Sequence, residues 1–155
     1  MEPLRSVLSA VRHADLLLLS VRSRLPLRTL PVSPFPATVG STVYVHFVLA
    51  EKPESVDHEW FPWVRGTWRT WMPCTVTGYK DRRGRVAQTG TYDELTQMTF
   101  YPAPPPGSSG GPIVNECGTV VGVTLGSVRE YGQPQHQGWG VPAQDIYEMF
   151  TLIAR

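Results

Sequence analysis

The chain has 155 residues and a formal net charge of +1 at neutral pH, with 41% hydrophobic and only 17% charged residues. This length fits one domain, and the near-neutral charge gives no electrostatic field that would attract nucleic acid or an anionic membrane surface. The 14 glycines and 15 prolines suit short strands joined by turns better than long helices. We therefore expect an all-β domain that binds neither nucleic acid nor a membrane.

The N-terminal segment does not have the pattern of a secretory signal. Arg5, Arg12 and Asp15 interrupt its apolar residues, and no apolar run in the chain approaches the ~18 residues of a membrane span. Two cysteines, Cys74 and Cys117, are too few for a disulfide scaffold, so we expect free thiols. These features favour an intracellular location.

An acidic residue opens an apolar predicted strand near the N-terminus. Asp15 directly precedes the apolar run of residues 16–19. It has either a catalytic role or a plain strand-boundary position, where solvent or a turn amide satisfies the carboxylate. His13 lies two residues earlier, so we expect it to share a strand face with Asp15.

The middle of the chain holds two predicted strands, residues 39–45 and 74–79, on either side of a tryptophan-rich segment. Residues 57–71 contain four of the five tryptophans. The segment is either an aromatic platform for a partner, on which Arg65 and Arg69 stack, or a hairpin that folds over the barrel and buries its rings. We favour burial, the commoner use of large aromatic side chains.

A glycine-rich turn follows at residues 107–112, with the sequence Gly-Ser-Ser-Gly-Gly-Pro. Glycines permit a turn tight enough for the amides of Gly107 and Ser109 to converge on one point. Such a turn presents the Ser109 hydroxyl as a nucleophile beside two donors for a developing oxyanion. The alternative is an ordinary hairpin loop, since serine and glycine are common turn residues.

Apolar strands at residues 112–115, 119–125 and 138–142 complete the chain, followed by a short helix from about residue 143 to residue 152. The turn and the strands after it resemble the Gly-x-Ser-Gly-Gly-Pro region of the trypsin-like serine peptidase superfamily. The segment that Asp15 opens is similar to the stretch that carries the orienting aspartate there. Residues 138–146 resemble the last strand and helix start of the bacterial-type (HtrA/DegP-like) branch.

The resemblance implies a chymotrypsin-like double β-barrel in which the second barrel is complete and the first is partial. Residues 1–38 would be the remnant of the first barrel that carries the aspartate. Residues 39–155 would form the second barrel, with the nucleophile turn, an aromatic hairpin insertion (57–73) and the C-terminal helix. An open first barrel would expose strand edges and the face of Leu16 to Leu19, so a partner or a missing N-terminal segment would complete it.

The resemblance also implies a set of site residues. Ser109 would be the nucleophile and Asp15 the orienting carboxylate, with the amides of Gly107 and Ser109 as the oxyanion hole. Substrate would bind to Ala103 at the pocket floor, to Trp139 beside it, and to the strand edge of Leu125, Gly126 and Ser127. Because Ala103 carries no carboxylate, we expect selection for a small or apolar side chain. We expect no cofactor and no metal ion.

The family takes its general base from a histidine well upstream of the aspartate, but only 14 residues precede Asp15 here. The remaining histidines, His46, His58 and His136, lie in an apolar strand, a polar loop and a glutamine-rich turn, none of them a family position. Serine is a weak nucleophile without a base. We therefore expect a serine endopeptidase domain that acts on polypeptides only when a histidine is supplied, and is inactive as written. The alternative is a pseudoenzyme or peptide-binding module that uses the cleft and the tryptophan-rich segment.

Overall fold

The computed structural model of the protein describes residues 4–24, 26–54, 59–129, 131–132 and 134–153. Within these ranges the chain forms ten strands, two short 3-10 turns and one helix. The strands are β1 (Leu4–Val11), β2 (Leu16–Val21), β3 (Thr42–Leu49), β4 (Phe61–Pro62), β5 (Trp68–Lys80), β6 (Val86–Ala87), β7 (Gln97–Tyr101), β8 (Pro112–Asn115), β9 (Val120–Val128) and β10 (Gln137–Pro142). The 3-10 turns are Arg12–Ala14 and Val64–Gly66, and the helix α1 is Ala143–Ile153.

Six of the strands close into an antiparallel barrel in the order β3-β8-β9-β10-β7-β5, and a pairing between β3 and β5 completes the ring. The short strands β4 and β6 pair with β5 outside this ring. Closure gives each of these six strands a partner on both sides over at least part of its length. The predicted all-β fold, with a complete barrel followed by a short C-terminal helix, is confirmed.

The barrel core follows from the two-residue period of its strands. Val43, Val45 and Phe47 of β3 are buried, whereas the alternate residues of this strand are only partly covered. Tyr79 lies among the buried residues of β5, and its hydroxyl donates a 2.6 Å hydrogen bond to the Ala37 carbonyl oxygen. The bond satisfies a polar group that would otherwise be costly inside the barrel.

Strands β1 and β2 form a separate two-stranded hairpin that packs against the helix and the last barrel strand. Its contact is a second apolar cluster, made by Val11, Ala14, Val141 and Met149 with Leu16, Leu18 and Leu125 packed around them. Leu17 and Leu19 face the other way and are 62% and 43% exposed. The expectation that Leu16 to Leu19 all face water is therefore wrong for Leu16 and Leu18, because successive side chains of a strand point to opposite sides.

The segment between the hairpin and the barrel docks onto the start of β9. The amide of Val120 donates to the Pro31 carbonyl oxygen and the amide of Ser33 donates to the Val120 carbonyl oxygen, both at 2.8 Å. The division of the chain at residues 38 and 39 falls between β2 and β3, and it stays a prediction. No helix in the described ranges combines the length and the apolar character needed to cross a bilayer.

Part of the tryptophan-rich segment belongs to the barrel itself. Residues 68–73 are the first half of β5 and pair with β3. Trp63 is 43% exposed, and the Arg69 guanidinium lies 4.3 Å from the centre of its ring. Trp60 packs instead against the edge of the barrel core, with its ring centre 5.4 Å from that of Phe47. Asp57 and His58, at the start of the predicted insertion, lie outside the described residues.

Candidate active site

The glycine-rich turn connects β7 to β8 and takes a backbone conformation that requires glycine. Gly107 and Gly110 have φ angles of +92° and +83°, in the region that side-chain-bearing residues rarely adopt. Ser108, between them, is buried, and its hydroxyl donates a 2.7 Å hydrogen bond to the Pro105 carbonyl oxygen. The turn is thus tied from inside by the serine that precedes Ser109.

Two barrel strands hold this turn through their backbones. The Gly110 amide donates to the Thr124 carbonyl oxygen at 2.7 Å, and the Thr124 amide donates to the Gly111 carbonyl oxygen at 2.9 Å. On the other side, a Cβ atom added to Gly111 would lie 2.3 Å from the His46 carbonyl oxygen of β3. The turn therefore has little freedom to move relative to β3 and β9.

Ser109 is exposed at the tip of the turn, and its hydroxyl donates a 2.6 Å hydrogen bond to the Leu125 carbonyl oxygen. Across the described part of the chain, the amides of Gly107 and Ser109 have no hydrogen-bond acceptor in the protein. Amides without an acceptor are the donors that an anionic oxygen needs. An exposed hydroxyl and two such amides thus occur on one rigid turn.

Asp15 lies at the end of the Arg12–Ala14 turn, just before β2, and its carboxylate is exposed. Its backbone is left-handed, with φ of +51°, and its amide donates to the Arg12 carbonyl oxygen. The expectation that His13 shares a strand face with Asp15 is wrong, because the 3-10 turn separates His13 from the strand. Leu16, the next residue, packs in the cluster that includes Leu125.

Ser109 and the residue that follows Asp15 are each linked to Leu125 of β9, the first directly and the second through a shared apolar cluster. Ser109 bonds the carbonyl oxygen of Leu125, and the residue after Asp15 joins its side-chain cluster. No hydrogen bond joins Asp15 to Ser109 within the ranges that the structure describes. A bridging group between them would have to come from elsewhere.

The described histidines are His13, His46 and His136, and none of them has a described hydrogen bond with Ser109. His13 Nε2 lies 3.7 Å from Asp145 Oδ1, and burial raises the pKa of Asp145 although the His13 charge opposes that shift. Burial, with a smaller effect from the Arg69 charge, lowers the pKa of His46, which packs against two tryptophan rings. His136 is exposed, and His58 lies outside the described residues.

The residues predicted for substrate binding lie on both sides of the turn. Ala103 is half-buried in the segment between β7 and the turn. Gly126 and Trp139 are paired residues of β9 and β10, and a Cβ atom on Gly126 would lie 3.6 Å from Trp139 Nε1. The indole therefore flanks the backbone of Gly126.

The predicted strand edge is open on the side of the turn. β9 pairs with β8 from Val120 to Val123. From Thr124 onward it pairs only with β10, which lies on its other side. No described strand pairs with the open edge at Gly126 and Ser127. Extended peptides bind to such edges by adding a strand.

Two residues of this region gave no signal in the sequence. Ser108 was not distinguished from the other turn residues, yet its buried hydroxyl anchors the turn. Thr124 bonds the turn through both its amide and its carbonyl group, and its side chain is fully buried. Only a prediction of the strand register would have placed Thr124 opposite Gly110 and Gly111.

Comparison with solved structures shows the same fold in bacterial proteases. The Rv3671c protease in its inactive form has 21% identity and a TM-score of 0.61, and the match covers 97% of this chain and 66% of that chain. The active form of this protease from M. tuberculosis has 21% identity and a TM-score of 0.66, with 98% and 59% covered. The MamO protease domain from Magnetospirillum magneticum, in its apo form, has 17% identity and a TM-score of 0.63, with 95% and 67% covered.

These likenesses concern the fold, and the chain spans roughly two thirds or less of each of those chains, between 59% and 67%. None of the curated proteins matches the chain. The family of trypsin-like peptidase domains matches residues 2–123, which include both the hairpin that carries Asp15 and the turn that carries Ser109. The chain therefore belongs to the trypsin-like peptidase domain family.

Proposed function

We propose that this protein is a serine endopeptidase domain that hydrolyses peptide bonds through an acyl-enzyme on Ser109, with a histidine base supplied from outside these 155 residues. One observation carries the proposal. The exposed Ser109 hydroxyl lies on a turn that β3 and β9 hold in place, and the amides of Gly107 and Ser109 have no acceptor among the described residues.

The chemistry assigns one role to each group. Ser109 Oγ attacks the substrate carbonyl carbon while the supplied histidine takes its proton, and the hydroxyl leaves the Leu125 carbonyl oxygen as it does so. The Gly107 and Ser109 amides bind the oxyanion, where one such donor contributes about 3 to 4 kcal/mol. The histidine then protonates the leaving amine, and water attacks the acyl-enzyme to release the acid and free Ser109.

Asp15 would orient the histidine and stabilise its protonated form. Its carboxylate is exposed, and the backbone around it is fixed by the 3-10 turn and by the packing of Leu16. Such a carboxylate holds the imidazole in the correct tautomer without being protonated itself. The exposed carboxylate of Asp15 would be free to accept a hydrogen bond from an incoming imidazole.

The histidine would be carried by a polypeptide segment that covers the hairpin. Leu4, Val7, Leu17 and Leu19 on the outer face of β1 and β2 are each more than 40% exposed. Apolar side chains on a short hairpin are typically covered by further strands. A preceding segment of the natural protein, or a partner, would complete the first barrel at this face and bring the base to Asp15.

The substrate would be an extended polypeptide. Its backbone would pair with the open edge of β9 at Gly126 and Ser127, next to Ser109. The side chain on the acyl side of the cleaved bond would enter a pocket near Ala103 and Trp139. Neither residue carries a negative charge, so a small or apolar side chain would be preferred to lysine or arginine.

A fluorophosphonate probe, which labels activated serines, tests the proposal. The 155-residue chain would be compared with a longer form that includes the residues encoded upstream. We expect labelling in the longer form only, with loss of labelling in Ser109→Ala and no change in Ser6→Ala, an exposed serine of β1. Labelling that survives Ser109→Ala would overturn the assignment of Ser109 as the nucleophile. Labelling of the 155-residue chain would show that no external base is needed.

A second candidate is a peptide-binding module without catalysis. The Trp63 ring, 43% exposed with the Arg69 guanidinium above it, favours this alternative because exposed aromatic rings serve in recognition. It predicts that no form of the protein reacts with the probe. It also predicts that Trp63→Ala weakens the capture of an extended peptide, whereas Ser109→Ala does not.

A further inference from the structure

Three side chains that are distant in the sequence meet where the N-terminal turn packs against the C-terminal helix. His13 Nε2 lies 3.7 Å from Asp145 Oδ1, and one ligand atom each from His13, Asp145 and Glu148 lie within 4.8 Å of one another. We propose that these residues form a binding site for a divalent cation of the zinc class. The site is separate from the proposed nucleophile and does not depend on its function.

Local structure brings the three groups together. Asp145 and Glu148 are three residues apart on α1, so they project from the same face of the helix. His13 belongs to the Arg12–Ala14 turn, in which Ala14 is buried in the same apolar cluster as Met149 of the helix. The packing of Ala14 on the helix therefore holds the backbone that carries the imidazole beside the two carboxylates.

Unsatisfied polar atoms at this place point to a missing ligand. The Asp145 side chain is only 8% exposed, and its Oδ2 atom has no hydrogen-bond partner among the described residues. The buried Oε1 atom of Gln144 also lacks a partner in the described part of the chain. Buried oxygens without partners are costly and rare in folded proteins. A cation beside Asp145 would satisfy its unpartnered Oδ2 atom.

The surrounding charge also favours a cation. Gln144, Asp145 and Glu148 line an open pocket of about 390 Å³. The charged side chains that line it are the carboxylates of Asp93, Glu94, Asp145 and Glu148 and the guanidinium of Arg82. Arg82 is already paired with Glu94 at 2.7 Å. The pocket therefore keeps excess negative charge at the position of Asp145 and Glu148.

The donor set selects the kind of metal. One imidazole nitrogen with two carboxylates suits Zn²⁺, whereas Ca²⁺ and Mg²⁺ prefer sites made only of oxygen. Tetrahedral zinc places its ligand atoms about 3.3 to 3.5 Å apart. Glu148 is exposed, so its side chain can move to close a gap of at most about 1.5 Å implied by that geometry. Gln144 Oε1 or a water would take the fourth position.

Bound zinc would clamp the N-terminal turn to the helix. The sequence did not indicate this site, because His13 and the two acids lie at opposite ends of the chain and no short-spaced ligand motif joins them. Asp15 follows the turn directly, so the clamp would also steady the backbone of that residue. The role of the metal would be structural, because no described hydrogen bond or ion pair joins any of the three ligands to the Ser109 turn.

Calorimetric titration of the chelator-treated chain with Zn²⁺ alone tests the proposal. A Cys117→Ser background removes the exposed thiol as a competing ligand. We expect one saturable site per chain and a higher melting temperature with zinc, and no comparable effect of Ca²⁺. His13→Gln and Glu148→Gln should each weaken binding by at least about tenfold, because even residues that only orient ligands contribute about 10- to 100-fold.

Matched controls separate this site from adventitious binding. His136→Gln and Glu116→Gln change one exposed histidine and one exposed acid elsewhere, and they should leave the titration unchanged. Circular dichroism would show that the His13 and Glu148 variants are folded. Absence of saturable binding would overturn the proposal and leave His13 and Asp145 as a plain ion pair, and equal binding by the two variants and the parent would also overturn it.

Discussion

The hydroxyl of Ser109 donates a 2.6 Å hydrogen bond to the carbonyl oxygen of Leu125, which joins the proposed nucleophile to the strand beside which a substrate would lie. This bond holds the hydroxyl against the backbone of β9. In the proposed reaction the hydroxyl must turn from this acceptor to a histidine. The carbonyl group of Leu125 then becomes available to a substrate amide.

Ser109→Ala should therefore separate stability from activity. Ser109 is exposed, so water can replace it on the Leu125 carbonyl oxygen, and we expect the free energy of unfolding to fall by no more than about 1 kcal/mol. In a form that carries the histidine, we expect turnover to fall by roughly a millionfold. Urea denaturation and a peptide hydrolysis assay measure the two effects, and a large loss of stability would show that the hydroxyl is a structural tie.

Gly111→Ala should destabilise the protein far more than substitution at an open glycine. A Cβ atom at Gly111 would lie 2.3 Å from the His46 carbonyl oxygen and 3.0 Å from the Ser108 carbonyl oxygen, both of them backbone atoms. Relief requires β3 and the turn to separate, so we expect a loss of roughly 3 kcal/mol or more.

Gly118→Ala is the matched control for this substitution. Gly118 has φ of +75°, but a Cβ atom there meets no atom within 4 Å. Its cost is conformational alone, about 1 to 2 kcal/mol. Urea denaturation of both variants gives the comparison, and equal losses would mean that the approach of the turn to β3 does not constrain Gly111.

The parts of this fold that the sequence predicted are those encoded by local pattern. Glycines at positions 107 and 110 mark the turn because only glycine adopts its backbone easily, and both have positive φ. The apolar runs around Val43 and Val121 mark buried barrel strands, and both residues are buried. Local pattern thus predicted strands and the most distinctive loop, whereas the barrel was implied by the resemblance to the trypsin-like peptidases.

The features that were missed depend on packing between distant segments. The sequence pattern indicates an insertion that includes Trp68 and Trp71, but both belong to the start of β5. The length of this strand depends on its pairing with β3, which the local sequence does not indicate. The contact of His13 with Asp145 requires the hairpin to dock on the helix, and no spacing within either segment indicates it. Register and docking are properties of the assembled fold.

The two cysteines should differ sharply in reactivity. Cys74 is buried in β5, and burial raises the pKa of its thiol to about 12, so almost none of it is thiolate at pH 8. Cys117 is exposed in the turn between β8 and β9. Because the thiolate is the reactive form, we expect Ellman's reagent to modify one thiol per folded chain at pH 8 and two in denaturant. Cys117→Ser should abolish the reaction of the folded chain, and rapid modification of Cys74 there would show that the barrel opens.

Protonation of His46 should destabilise the protein at mildly acidic pH. Burial, and then the charge of Arg69, lower the pKa of His46 below its ordinary value of 6.5, so the folded chain binds this proton more weakly than the unfolded chain. As the pH falls below about 6.5, the unfolded state therefore takes up more protons and the free energy of unfolding decreases, until the folded-state pKa is passed. His46→Gln should flatten this part of the stability curve, measured by urea denaturation at several pH values between 7 and 5. An unaltered slope in His46→Gln would assign the acid sensitivity to another group.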